Sequence, residues 1–485
     1  MTDYIILIPV LFPVLAAIFM VTISPKRENA RNIFVISSVI INLILLTAVL
    51  YVKGETQIHI FKFNSFLDIY FKIDKLGIMF STLASILWVF TTFYSSKYME
   101  HEGKEKQFFI FFTITLAITI GIAFAGNLIT LYIFYEFLTL ATFPMVIHAG
   151  SKEALDSGKK YLIYSFGGAT LVIFGMILLF YIANDLSFIP QGILNNISSN
   201  EYSLLLIVFI SLFLGFGVKA ALVPFHSWLP AAMVAPTPVS SLLHAVAVVK
   251  SGIFALIRVT YFIFGVDIIQ KIDGDIYILI LVIITILMGS LLALHQDNLK
   301  KRLAYSTISQ LGYILLGILL LNENGLVGGL LHLINHAVIK ITLFFCAGAI
   351  YFKTGKKSIK EIKGIGREMP ITMICFSIAS ISLVGIPPTN GFVSKWYLAL
   401  GGLNANRVMF PVILLLSAFL TAAYLVPIVV TAFFSGSDPD IQYENKDPNI
   451  KMLGPIVALT FIVIILGLFP NAVLHYIQDI ARALI

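Results

Sequence analysis

The sequence has 485 residues, 59% hydrophobic and 12% charged, with a mean hydropathy of +0.96. A soluble protein carries roughly twice that charged fraction, so the composition excludes a soluble globular domain. The net charge of +7 falls between apolar runs, a membrane-loop pattern and not the footprint of a nucleic-acid binder. Runs of about 20 apolar residues, enough to cross a ~30 Å hydrocarbon core, recur along the chain. Only helices or closed barrels satisfy backbone groups in lipid. A barrel would show short alternating segments, so the reading is an all-α integral membrane protein.

In chain order, the first run is Tyr4 to Ile23, followed by Pro25, Lys26 and Arg27; it reads as a retained helix, not a cleaved signal peptide. Further spans are expected near 33–52, 75–94, 107–125, 128–148, 161–183, 203–223, 238–264, 275–294, 303–321, 326–350, 371–394, 409–433 and 452–470. That makes about fourteen spans, with a long loop over 53–74 and no soluble domain between them. They group as an N-terminal three-helix segment (1–106), two five-helix units (107–265 and 275–433) and a C-terminal helix segment (434–485). Loops after odd-numbered spans are rich in lysine and arginine, the largest cluster being Lys353, Lys356, Lys357, Lys360, Lys363 and Arg367. Loop 53–74, with Lys53, Lys62 and Lys72, departs from the bias. The positive-inside rule then puts both termini outside the cytoplasm. Cys346 and Cys375 both sit in apolar runs and read as small buried hydrophobes; no cofactor is expected, and no four-cysteine set exists for an iron–sulfur cluster.

Two spans look broken. In the seventh, LGFGVKAALVPFHSWLP, Pro224 closely follows Lys219; in the twelfth, SLVGIPPTNGFVSKWYL, Gly385, Pro387 and Pro388 precede Lys395. Prolines often do no more than kink membrane helices. Two interrupted helices five spans apart, each beside a lysine, point instead to inverted repeats, spans 4–8 and 9–13, with a site near the midplane.

The informative residues are ionisable groups inside these runs: Glu136, Lys219, His244, Lys250, His332, His336, Lys340 and Lys395. One charge at the bilayer centre costs about 2.5–3.5 kcal/mol even on insertion scales, so such groups must pair, hydrate or work neutral. Proton transfer needs groups that switch charge, and a desolvated lysine can deprotonate whereas arginine cannot. Glu136 and Lys219 suit a pair. His332, His336 and Lys340 recur at i, i+4 and i+8 and share one helix face, ~12 Å long at 1.5 Å per residue. His244 and Lys250, six residues apart, do not share a face, so a water or a neighbouring helix must join them. Two histidines at i, i+4 also suit zinc, but no carboxylate or cysteine accompanies them, and no metal is expected; histidines simply hydrogen-bonded between helices are the plainer alternative. Arg258, near the end of the eighth span, reads as a snorkelling or anchoring residue.

The segments FKIDKLGIMF, LYIFYEFLTL, VKAALVPFHSWLPAAMVAPTPVSSLLHAVAVVKSGIFALIR, ALHQDNLKKRLAYSTISQLGYI, LLHLINHAVIKITLFFCAG and GIPPTNGFVSKWYL together resemble the antiporter-like subunit family. That family is shared by respiratory complex I, membrane-bound hydrogenases and Mrp cation/proton antiporters. The resemblance implies fourteen helices with two inverted five-helix repeats. It also implies a row of protonatable residues along the membrane plane: Glu136 with Lys219, then His244 and Lys250, then His332, His336 and Lys340, ending at Lys395. GREMPIT, the lysine at 395 and the chain's stopping about fifteen residues past the last span are most similar to Mrp D-type subunits, with hydrogenase or complex I subunits as the alternative. The sixth span lacks the acidic residue of some complex I members. Implied partners are other membrane subunits, protons, sodium in the antiporter reading, and the bilayer of a prokaryotic cell membrane. A stand-alone solute transporter and a non-transporting scaffold are the competing classes.

Overall fold

The computed structural model describes residues 2–23, 28–52, 56–64, 66–194, 197–434 and 445–485; Pro25, Lys26, Arg27 and Lys53 lie outside them. A 3-10 turn leads into α1 (Ile8–Thr22), followed by α2 (Glu28–Val52). The connection expected as a loop holds a hairpin: β1 (Gln57–Lys62) pairs antiparallel with β2 (Asp68–Lys72), Gln57 opposite Lys72. Isoleucine and phenylalanine in both strands, with Tyr70 in β2, suit a pleated surface, buried along β2 and exposed along most of β1.

Next come α3 (Lys75–Glu102), α4 (Glu105–Phe124) and α5 (Leu128–Val146). Asp74 and Asn127 cap α3 and α5 by accepting from Gly77 N at 2.8 Å and Thr130 N at 2.9 Å. They are followed by α6 (Lys152–Ala183), α7 (Tyr202–Lys219), the short α8 (Trp228–Ala231), α9 (Thr237–Ala245) and α10 (Val248–Arg258). A π-helical turn, Val259–Phe264, joins α10 to α11 (Gly265–Lys271). The chain continues through α12 (Gly274–Leu294), α13 (Leu299–Leu319), α14 (Glu323–Thr354), α15 (Ile365–Glu368), α16 (Pro370–Val384) and α17 (Asn390–Asn404). It closes with α18 (Met409–Phe434), α19 (Ile450–Leu468) and α20 (Asn471–Leu484).

Among the described residues, twelve helical segments are long and apolar enough to cross a membrane. The expected tenth span is α13, a 21-residue helix. Lys300, Lys301 and Arg302 in its first turn and Ser306–Gln310 midway make it too polar to face lipid, and its interior position removes that need. The expected twelfth is divided into α16 and α17 at Gly385–Thr389. The eighth, expected as one run, is also divided: α9 ends at Ala245 and α10 restarts at Val248. Among the spans, α14 is the most enclosed: 94% of its most apolar stretch is buried, against 33% for α6, so α14 belongs to the core and α6 to the periphery. Glycine permits that enclosure. A Cβ on Gly328 would lie 2.6 Å from Leu398 N, so α14 and α17 touch at backbone distance.

Candidate functional site

Lys219 is the last residue of α7, 1% exposed, and its Nζ lies 3.4 Å from Glu136 Oε1 on α5. The same amine donates a short hydrogen bond to Tyr135 O and sits 3.3 Å from the Tyr135 ring centroid. Tyr135 is fixed in turn by its hydroxyl, which donates to Phe216 O at 3.1 Å. Glu136 is 18% exposed, so its carboxylate reaches the outer face of α5 while the lysine stays inside.

The chain breaks directly after Lys219, and the freed backbone groups find partners. Trp228 Nε1 donates to Val218 O at 2.8 Å, and Val223 N donates to Thr285 Oγ1 at 3.1 Å. Such replacement is what lets a helix stop inside a membrane. Pro224 follows a cis bond here, as Pro388 does in the second break. There, Gly385 ends α16 with φ +91, a left-handed cap suited to glycine. Lys395, one turn into α17, donates from Nζ to Leu383 O and Val384 O, both at 2.8 Å. Its charge therefore sits on the negative end of α16. The parallel with Lys219 is partial, since Lys219 bonds across to α5 and not to its own helix end.

Between the breaks lies a line of buried groups. Lys250 Nζ is 2.8 Å from His336 Nδ1, and the rings of His336 and His332 are stacked with centroids 5.9 Å apart. If Lys250 donates to Nδ1, a neutral His336 carries its hydrogen on Nε2, which has no partner within the protein. His332 Nε2 is 3.0 Å from Gln310 Oε1, and Nδ1 is 2.9 Å from Ser394 Oγ. Ser394 is also within 3.1 Å of Gly391 O, so its one hydrogen has two competing acceptors. Tyr313 bridges onward, its ring 5.4 Å from that of His332 and 5.1 Å from Lys395 Nζ.

The expected order is thus altered. The contacts run Lys250, His336, His332, Tyr313, Lys395. Lys340 lies beyond His336 in the opposite direction along α14, where its amine donates to Leu303 O at 3.0 Å and makes a short bond to Ser306 Oγ. It is a branch, not a link to Lys395. His244 is 0% exposed with neither ring nitrogen partnered; its ring packs 4.8 Å from that of Phe344. The helix break at Val246–Ala247 separates it from Lys250, which is why six residues of spacing did not locate it. Tyr135, Gln310, Tyr313 and Ser394 escaped the sequence reading. Gln310, one turn from Tyr313, closes the polar stretch Ser306–Gln310 and does not stand out from its neighbours in the sequence. Arg258 does not snorkel: 1% exposed, it forms a two-pronged ion pair with Asp74, the second prong at 2.9 Å. Its guanidinium carbon lies 4.4 Å from the Phe262 ring centroid, since a planar cation stacks where an ammonium would need water. Among the described residues no group of three metal-ligating side chains occurs.

A multi-pass helical membrane protein with interrupted spans and a buried amine–imidazole line is the class this architecture defines. The chain belongs to the NADH:quinone oxidoreductase/Mrp antiporter transmembrane family, whose model matches residues 125–421. It is 32% identical to NADH-quinone oxidoreductase subunit N of Desulforudis audaxviator over 84% of each chain. It is 31% identical to Na(+)/H(+) antiporter subunit A1 of Staphylococcus haemolyticus over 86% of this chain, spanning 54% of that longer protein. In fold it matches a chain of the Mrp complex from a Dietzia species with TM-score 0.87 at 20% identity, over 98% of this chain and 97% of that one. Its relatives are subunits of multisubunit membrane assemblies.

Proposed function

We propose that the chain is a proton-translocating subunit of a multisubunit sodium/proton antiporter of the Mrp type, D-like in kind. The observation that carries this is the contact line Lys250–His336–His332–Tyr313–Lys395, with Glu136–Lys219 at the other interrupted helix. In this reading Glu136 holds Lys219 charged when close and lets it release a proton when they separate. Lys250 and the histidines then exchange protons along the membrane plane, and Lys395 delivers them at the second break. His244 and Lys340 serve as side links to the lysine-rich face. The two breaks, at Pro224 and at Gly385, Pro387 and Pro388, would be related positions in two inverted repeats within 107–265 and 275–433. The lysine-rich loops are assigned to the cytoplasm of a prokaryotic cell, with both termini outside. Energy comes from partner subunits or an ion gradient, because the chain's own groups only bind and pass protons.

A redox-driven pump of the NADH:quinone oxidoreductase or hydrogenase kind is the second reading, favoured by the match to subunit N over 84% of both chains. One experiment tests the shared core. Glu136→Ala and Lys219→Ala are each expected to abolish proton-coupled transport by the assembled complex in vesicles, with assembly intact; normal transport in both would refute the relay. Sodium flux without any electron donor then separates antiporter from pump.

A further inference from the structure

At the lysine-rich end a polar cavity of about 410 Å³ opens between α3, α13 and α14. A second cavity of about 360 Å³ shares Tyr98, Glu102, Tyr351 and Lys357 with it, so the two form one vestibule. Its floor is the start of α9, beside Pro236. Lys300 Nζ is held there at 2.6 Å from Ala235 O, while the Glu102 carboxylate lies on the wall and offsets the lysines.

A line of hydroxyls leads inward from this floor. Tyr98, 2% exposed, accepts a hydrogen bond from Thr237 Oγ1 at 3.0 Å. Thr237, Ser241 and His244 stand at i, i+4 and i+7 on α9, which puts them on one face over ~10 Å at 1.5 Å per residue. All three are fully buried. The line ends at His244, whose two ring nitrogens have no partner within the protein. A buried imidazole in that state costs free energy unless it is hydrated or in use. The helix also stops one residue later, freeing that turn to adjust. Opposite Thr237, a Cβ on Gly348 of α14 would come within 2.5 Å of both Thr237 Cγ2 and the Tyr94 hydroxyl, so the glycine leaves room for this line.

We propose that the vestibule is where protons enter from the lysine-rich face, and that Tyr98, Thr237 and Ser241, with intervening water, conduct them to His244. The Tyr98 and Thr237 hydroxyls turn so that Tyr98 donates to Thr237; each hydroxyl then takes one proton and gives up its own, so one proton arrives at His244 for each one collected near Glu102 and no bond other than O–H and N–H changes. From His244 the proton passes to the Lys250–His336 pair. This rests on the relay proposed above.

The test uses the complete complex in vesicles with an internal pH dye. The double variant Tyr98→Phe/Thr237→Val is expected to slow proton transport about tenfold or more, and Thr237→Ser, which retains the hydroxyl, to lose less than the double variant. Glu102→Cys, modified by a bulky membrane-impermeant cationic thiol reagent, is expected to slow transport when the reagent reaches the lysine-rich face only. Cys346 and Cys375 are buried, so the parent protein is the control for background labelling. A double variant at the parent rate, or a modified Glu102→Cys protein without effect, overturns the entrance. If the double variant fails to assemble, the modified cysteine decides alone. Loss of transport in Lys219→Ala beside a normal double variant would reject the entrance and keep the relay; normal transport in both Glu136→Ala and Lys219→Ala would reject the relay itself.

Discussion

Lys219 is held by a carboxylate, a carbonyl and an aromatic face at once, all from α5. A guanidinium can keep the charge and the pair with Glu136 but cannot deprotonate. Lys219→Arg is therefore expected to preserve assembly, seen on native gels, while losing transport by roughly 10²-fold or more, the scale of removing a general acid–base group. Lys250 offers the complementary case. Lys250→Met removes the amine from His336 and is expected to stop transport, whereas a purely structural lysine at this position would tolerate a methionine of similar length. The acidic and basic residues at this scale were legible in the sequence because charge inside an apolar run costs several kcal/mol and needs a reason. Tyr313 and Gln310 were not, because neutral polar side chains in membrane helices carry little penalty and therefore little signal.

At the scale of elements, the two interrupted spans depend on close backbone contact. A Cβ on Gly252 of α10 would lie 2.6 Å from Ala220 N and 3.0 Å from the Lys219 carbonyl carbon. One on Gly391 of α17 would lie 1.8 Å from Ser382 O on α16. Neither obstacle is a flexible side-chain end, so the helices themselves must shift. Gly252→Ala is expected to destabilise by about 1–3 kcal/mol, the usual cost of overpacking, read as a lower thermal midpoint in detergent. Gly391→Ala, with the tighter clash, should lower it further. The breaks at 7 and 12 were visible as proline and glycine beside lysine. The break in the eighth span was not: VAV at 246–248 carries no breaker residue, and only packing against α14 and α7 decides it.

Across the whole molecule, Arg258 ties the end of α10 to the start of α3, 184 residues away in sequence. Arg258→Ala would leave Asp74 facing apolar surroundings, and breaking a buried pair from one side costs about 3–5 kcal/mol. The expected result is a large loss of thermal stability with partial recovery in Arg258→Met/Asp74→Asn, measured as a double-mutant cycle. On the same side of the fold, α20 reaches the start of α3, where the Tyr476 hydroxyl donates to Lys75 O at 2.9 Å, and is fastened by Arg482 to Glu323, at the first turn of α14, at 3.1 Å. No charge pattern in the sequence pointed to either tie, since ion pairs over such separations have no local signature.

The sequence alone determined the membrane class, most spans, two of the interrupted helices and the identity of the buried ionisable groups. Each of these rests on the free energy of placing one residue type in lipid, a local quantity. Tertiary structure decided which groups meet: that Lys250 reaches His336, that His332 and not Lys340 leads toward Lys395, and that His244 lies below the lysine-rich vestibule. Those are distances between helices, set by how glycines and side chains let α7, α10, α14 and α17 approach, and no single segment contains them.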